Sequence, residues 1–173
     1  CQSWNYPPIE NLLLDESVFP SGWSTSTDGA GTIPRAPWTG STNVVENVEL
    51  YFYAHEGGAL ERIWRLASSE GASQAFESQV GSVFRDGEFN TPWMVPAEFS
   101  YSSPTADRYH FACATFEGQR IPGCAYVAQY KTYVVYFQTS MPPDLMTYVD
   151  LENVLQAIDE RFALYVGNGQ SQR

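Results

Sequence analysis

The chain has little of what most enzymatic chemistry draws on. Of its 173 residues two are histidine and three are cysteine. His55 and His110 stand far apart, and no Gly-x-Ser-x-Gly, P-loop, dinucleotide fingerprint or EF-hand loop occurs. Nucleophilic catalysis needs a Ser or Cys with a base in reach, and the local sequence offers no such pair. There is no C-x-x-C, no C-x-x-C-H and no cysteine cluster suited to zinc or iron–sulfur. No cofactor or metal is expected, and the chain reads as a non-enzyme. Cations are scarce as well: nine Lys and Arg against twenty Asp and Glu leave a net charge of −11. Nucleic-acid binding depends on neutralising phosphates, so nucleic acid is not an expected partner, and anionic headgroups are not expected to hold the chain by charge. Long apolar runs are missing too. Tyr133 to Phe137 is among the longest and is strand-sized, well short of the roughly 18 residues of a spanning helix.

What is abundant is aromatic: 11 Tyr, 10 Phe and 5 Trp make 15% of the chain. Strands favour such residues, and so do interface hot spots. The cysteines are few but informative. If Gly118-Gln119 forms a two-residue turn with Gly first, Cys113 falls opposite Cys124, close enough for a disulfide. That pairing leaves Cys1 over. Acidic pairs such as Asp144 with Asp150, or Asp159 with Glu160, are expected at helix ends or on a solvated helix face.

Cys1-Gln2-Ser3 resembles the start of mature bacterial lipoproteins, in which the first cysteine carries diacylglycerol on its sulfur. The resemblance implies a covalent lipid on Cys1 and attachment to the extracytoplasmic face of a bacterial membrane. Two or three acyl chains suffice for stable anchoring where one does not. Residues 1–8 would then form the tether, with Trp4 and Tyr6 placed among the headgroups, where amphipathic rings are favoured. Pro7-Pro8 stiffens the exit, so the folded part is expected close to the bilayer.

Residues 9–43 are expected to be an irregular N-terminal segment. Pro20, Gly22, Gly29, Gly31, Pro34, Pro37 and Gly40 interrupt it too often for long regular elements. Trp23 and Trp38 within it are candidate partner-binding anchors. The single ordered domain is expected over 44–166. Val48 to His55 and Leu60 to Ala67 read as strands joined by a Gly57-Gly58 turn, a register that sets Tyr51 opposite Trp64 and Tyr53 opposite Arg62. A helix follows over about 70–85, with Ala72, Phe76, Val80, Val83 and Phe84 on one face. A strand is expected near Glu98 to Tyr101, two more flank Glu117 to Arg120, and Tyr133 to Thr139 pairs with Ala125 to Gln129. Thr147 with Asp150 makes a capping box. Tyr148, Leu151, Leu155, Ile158, Phe162 and Tyr165 then form a buried stripe at helical spacing, with Gly167 as C-cap and 167–173 as a mobile tail. The expected class is α+β, a mainly antiparallel sheet with two main helices packed on it, in the order β-β-α-β-β-β-β-α.

The stretch Gln129 to Phe162, with Tyr133-Val134-Val135-Tyr136-Phe137, Met141-Pro142-Pro143 and Asp150-Leu151 through Ile158-Asp159-Glu160-Arg161, is similar to small extracytoplasmic domains of the PsbP/Mog1 type. Such domains host varied functions, so the likeness implies architecture first. With the lipoprotein resemblance it implies a non-catalytic accessory subunit of a membrane protein complex, an electron-transfer assembly such as alternative complex III being one host. A ligand-binding or sensor lipoprotein, with a pocket between sheet and helix, is the alternative.

Overall fold

The computed structural model describes residues 8–25, 43–87 and 91–168. Cys1, Trp4, Tyr6 and Trp38 lie outside the described residues. Ile9–Leu12 and Glu16–Val18 form short 3-10 helices, and Ser24–Thr25 is a two-residue strand, β1. Then come β2 (Val44–Ala54), β3 (Gly57–Leu66), α1 (Ser69–Val83), β4 (Arg108–Ala114), β5 (Gly123–Tyr130), β6 (Tyr133–Ser140) and α2 (Tyr148–Asn168). All pairs are antiparallel in one six-stranded sheet, ordered β1-β2-β3-β6-β5-β4. The α+β class, the antiparallel sheet and the two main helices are those the sequence leads one to expect.

Strand alternation divides the core between the two faces of this sheet. On one face Val48, Phe52, Ile63, Tyr126, Tyr130, Val135 and Phe137 meet Leu151, Val154, Leu155, Ile158 and Phe162 of α2. On the other, Trp64, Val127, Val134 and Tyr136 meet Ala72, Ala75 and Phe76 of α1. Strands covered on both sides lose their polar positions, and every residue of β5 is buried. Each helix starts on a side-chain cap. Ser68 Oγ accepts from Gly71 N at 3.0 Å. Thr147 N donates to Asp150 Oδ2 while Asp150 N donates to Thr147 Oγ1, a reciprocal capping box.

Several expectations are corrected. The first hairpin turns at His55-Glu56, so Tyr51 lies opposite Leu60 and Tyr53 opposite Gly58, four residues from the expected register. Gly57 serves packing instead: a Cβ on it would stand 3.1 Å from Pro142 Cγ and 3.2 Å from Trp23 Cη2. The stretch 98–101 is no strand, and the backbone N–H groups of Ser100 and Tyr101 donate to Glu152 of α2 instead of a ladder. Gly167 does not end α2, which runs through it to Asn168. The described part of the segment 9–43 is part of the domain core. Ile9, Leu12, Leu14, Phe19 and Trp23 are all buried in the core beneath α2.

Cys113 and Cys124 face each other across β4 and β5 and are joined, with Cα atoms 4.0 Å apart. The connecting turn is centred on Glu117-Gly118, with Gly118 second at φ +77° and Gln119 N donating to Phe116 O. Positive φ at the second central residue is the glycine position of a type II turn. Pro122, which has no N–H, sits just past the last ladder pair, and its carbonyl accepts from Met141 N.

Replacing both Cys113 and Cys124 by Ser is expected to cost about 2–5 kcal/mol in urea unfolding, and reductant should lower wild-type stability to the same level. Removing residues 8–25 is expected to lower the melting temperature sharply, because the core loses five buried apolar side chains. A truncated chain that still melts sharply at the wild-type temperature would refute that placement.

Candidate functional site

An open cleft of about 650 Å³ is lined by Ser69, Glu70, Ser73, Asp107, Arg108, Gln129 and Lys131. It forms where the first turn of α1 overhangs the ends of β4 and β5 and the turn into β6. Gln129 is its keystone. Alternation turns this residue of β5 toward α1, beyond the apolar part of that layer. Its Oε1 accepts from Arg108 Nε at 2.7 Å and Ser73 Oγ at 3.3 Å. Its Nε2 donates to Lys131 O at 3.1 Å and Ser69 O at 3.3 Å. A primary amide has two donor and two acceptor positions, and here each one joins the helix, β4 or the hairpin turn.

Arg108 carries the framework outward. Its two terminal nitrogens donate to Glu77 Oε1 and Ser73 O, and the guanidinium lies over the Phe76 ring, 4.3 Å from the centroid. Opposite stands Lys131, the only non-glycine among the described residues with positive φ, at +54°. Asp107 holds it there, accepting from Lys131 N at 2.6 Å and from Nζ at 2.5 Å. Burial pushes the Asp107 carboxyl up, but the Lys131 hydrogen bonds and charge outweigh it and hold the group below the usual carboxylate range. Glu70, Ser69 and the N-terminal end of α1, with its partial positive charge, complete the rim. The set mixes carboxylates, cations, hydroxyls and backbone N–H groups on a rigid frame. No histidine or cysteine lines it, and it presents hydrogen-bond donors and acceptors together with charges of both signs.

Two carboxylates are buried on the opposite face. Asp159 was expected on the solvated side of α2, but it is 1% exposed. It follows Leu155 by one helical turn and sits beside Ile158, so it falls within the apolar stripe. Its oxygens accept from Tyr130 Oη, Tyr101 Oη and Ser103 Oγ, and Tyr126 Oη meets Tyr130 Oη at 3.2 Å. Burial first, and then the Asp159 charge and hydrogen bond, push the Tyr101 phenol far above its ordinary value. Glu61 is 0% exposed; its Oε2 accepts from Leu14 N at 2.7 Å, and its Oε1 has no partner. Glu61 carries no motif, although it interrupts the inward-facing series Ala59, Ile63.

The predicted partner-binding residue Trp23 is corrected. It is 6% exposed, its ring lies 5.3 Å from that of Phe19, and its Nε1 donates to Leu145 O at 2.9 Å. A side chain so enclosed has no surface to offer a partner. His55 is exposed on the first turn and His110 packs on Phe84, and neither reaches the cleft. Among the described residues no group of three or more His, Cys, Asp or Glu is placed to hold a metal ion, and no helix is long and apolar enough to cross a membrane.

No protein-family model matches the sequence, and no curated protein is similar to it by sequence. The fold is similar to that in the crystal structure of the extracellular domain of PknH from Mycobacterium tuberculosis. The two share 12% identity with a TM-score of 0.54, over 95% of this chain and 98% of that one.

Replacing Gln129 by Ala removes four part-buried hydrogen bonds at once. It is expected to cost about 1–3 kcal/mol and to speed amide exchange selectively in the first turn of α1 and the Lys131 turn. Uniform exchange across the sheet would contradict the keystone role.

Proposed function

We propose that this chain is an extracytoplasmic ligand-binding or sensor domain carried on a lipid anchor, and that it takes its ligand in the polar cleft at the end of α1. The carrying observation is that cleft: about 650 Å³ with seven polar residues converging on it, four of them cross-braced through Gln129. Ligand sites combine such volume with a few fixed polar groups. Between α1 and the sheet, the void beneath Val44, Trp64, Ala75 and Gln79 amounts to about 10 Å³. The reading therefore uses the polar cleft at the sheet's end in place of an aromatic pocket between sheet and helix. The matching ligand is small and polar and bears both hydrogen-bond donors and acceptors. Likeness to an extracellular domain and the Cys113–Cys124 bridge support an extracytoplasmic location. Cys1 as the lipid-bearing residue, with Trp4 and Tyr6 at the headgroups, completes this reading.

Screening small polar compounds by amide chemical shift is the direct test. Hits should perturb Ser69, Ser73 and Lys131 together, and Lys131→Ala with Glu70→Ala should remove the response while the fold persists. A hit at 100 times its Kd should also stabilise the domain by about 2.7 kcal/mol. Perturbations that never gather at the cleft would refute the site. Intact mass of protein from native membranes should show an acylated Cys1, and an unmodified Cys1 would end the lipoprotein part.

A role as accessory subunit of a membrane protein complex is the second reading, with a respiratory assembly such as alternative complex III as one host. One surface favours it. Half-buried Phe84, Trp93 and Phe116 cluster with His110 at the far end of α1, beside Met94 and Val95, which are 63% and 59% exposed. Native gels of mildly solubilised membranes should then show the chain in a stoichiometric assembly that Met94→Lys disrupts. Migration alone would discard this reading.

A further inference from the structure

Residues 8–25 are fastened to the sheet at a point that is chemically unstable. Glu61 lies in the middle of β3, with Leu50 of β2 and Phe137 of β6 as its register partners, and it is fully enclosed. Its one hydrogen bond is from the backbone of Leu14, two residues past the first 3-10 helix. Around that bond the same segment seats Ile9, Leu12, Phe19 and Trp23 in the core. We propose that Glu61 is a proton-operated clasp: with a proton on its carboxyl the segment 8–25 stays seated on the sheet, and loss of that proton favours its release.

The argument rests on what surrounds the group. An ionised carboxylate in an apolar interior needs a counter-charge or several donors, and Glu61 has one donor and a bare Oε1. The charged groups facing it are committed elsewhere. Arg161 of α2 acts on it at a distance but is paired with Asp15 of the segment at 2.6 Å. Asp159, the other buried carboxylate of this face, is engaged by Tyr101, Ser103 and Tyr130. Burial dominates the Glu61 carboxyl and pushes it from 4.5 up to about 8 in the closed state. Once the segment lifts, water reaches the carboxyl and its ordinary value returns. Opening therefore releases a proton, and the closed state loses ground as pH rises from about 4.5 to about 8, then no further. Release would uncover the apolar surface around Phe52 and Ile63 beside α2.

Hydrogen exchange of the full chain, corrected for intrinsic rate, tests this at the Leu14 amide. Protection should fall by up to about tenfold per pH unit between about 5 and 8 and then level off. In Glu61→Gln it should be independent of pH. Flat protection in wild type, or the same slope in the variant, would overturn the clasp. So would β5 and β6 amides losing protection in step with Leu14, because that pattern is global unfolding. The carboxyl carbon of Glu61 supplies a readout without any variant. Its NMR titration midpoint should lie near 8, and a midpoint in the ordinary glutamate range would overturn the proposal.

Discussion

Two helices cannot by themselves bury both faces of a six-stranded sheet, and that shortage organises the rest of the molecule. A sheet face left wet must be polar, yet β5 and β6 are apolar on both sides, so cover has to come from elsewhere. α1 covers β5, β6 and β3 on one face. On the other, α2 shares the work with residues 8–25, whose Phe19 stacks on Phe52 at 4.3 Å and whose Leu12 is wholly enclosed. The 3-10 helices look irregular in outline but act as part of the core. They are single turns of four and three residues, in a stretch that Pro8 precedes and Pro20 follows.

The same shortage explains where polar groups end up. α2 is held to the strap 98–106 by carboxylates: Glu152 accepts from Ser100 and Tyr101, and Asp159 takes the hydroxyls of Tyr101 and Ser103. Phe99 meanwhile stacks on Phe111 at 3.7 Å. Polar capture positions this strap and an aromatic contact seals it. At the opposite corner Gln129 does the equivalent work for α1. There the layer runs out of apolar side chains, and the result is a cleft with its polar groups already fixed. A ligand entering it would meet groups whose ordering cost is already met within the fold.

Periodic features were legible in the sequence. The stripe Leu151, Leu155, Ile158, Phe162 fixes the buried side of α2, and the Thr147–Asp150 pair marks its start, because both depend only on neighbours along the chain. The Cys113–Cys124 register was legible as well, although the turn sits one residue earlier than Gly118-Gln119 would place it. What failed depended on distant partners. Gly57-Gly58 looks like a turn until Trp23 and Pro142 arrive to require a missing side chain. Trp23 looks like an anchor until Leu145 supplies its hydrogen bond. Asp159 looks solvated until three hydroxyls from elsewhere gather on it. The cleft was not legible at all, since Ser69, Arg108, Gln129 and Lys131 are ordinary residues until the sheet order brings them together.

The sheet is two three-stranded meanders, β1-β2-β3 and β6-β5-β4, which meet only along the β3–β6 seam from Ala59↔Thr139 to Arg65↔Tyr133. Each meander has the makings of a subdomain, but their covers are exchanged. α1 follows the first meander in sequence and packs mainly on strands of the second. The segment 8–25 and α2, from opposite ends of the chain, close the remaining face together. Neither half can therefore bury its own surface. Such an arrangement couples the two meanders, so the six strands are expected to melt in one transition, with calorimetric and van't Hoff enthalpies in agreement.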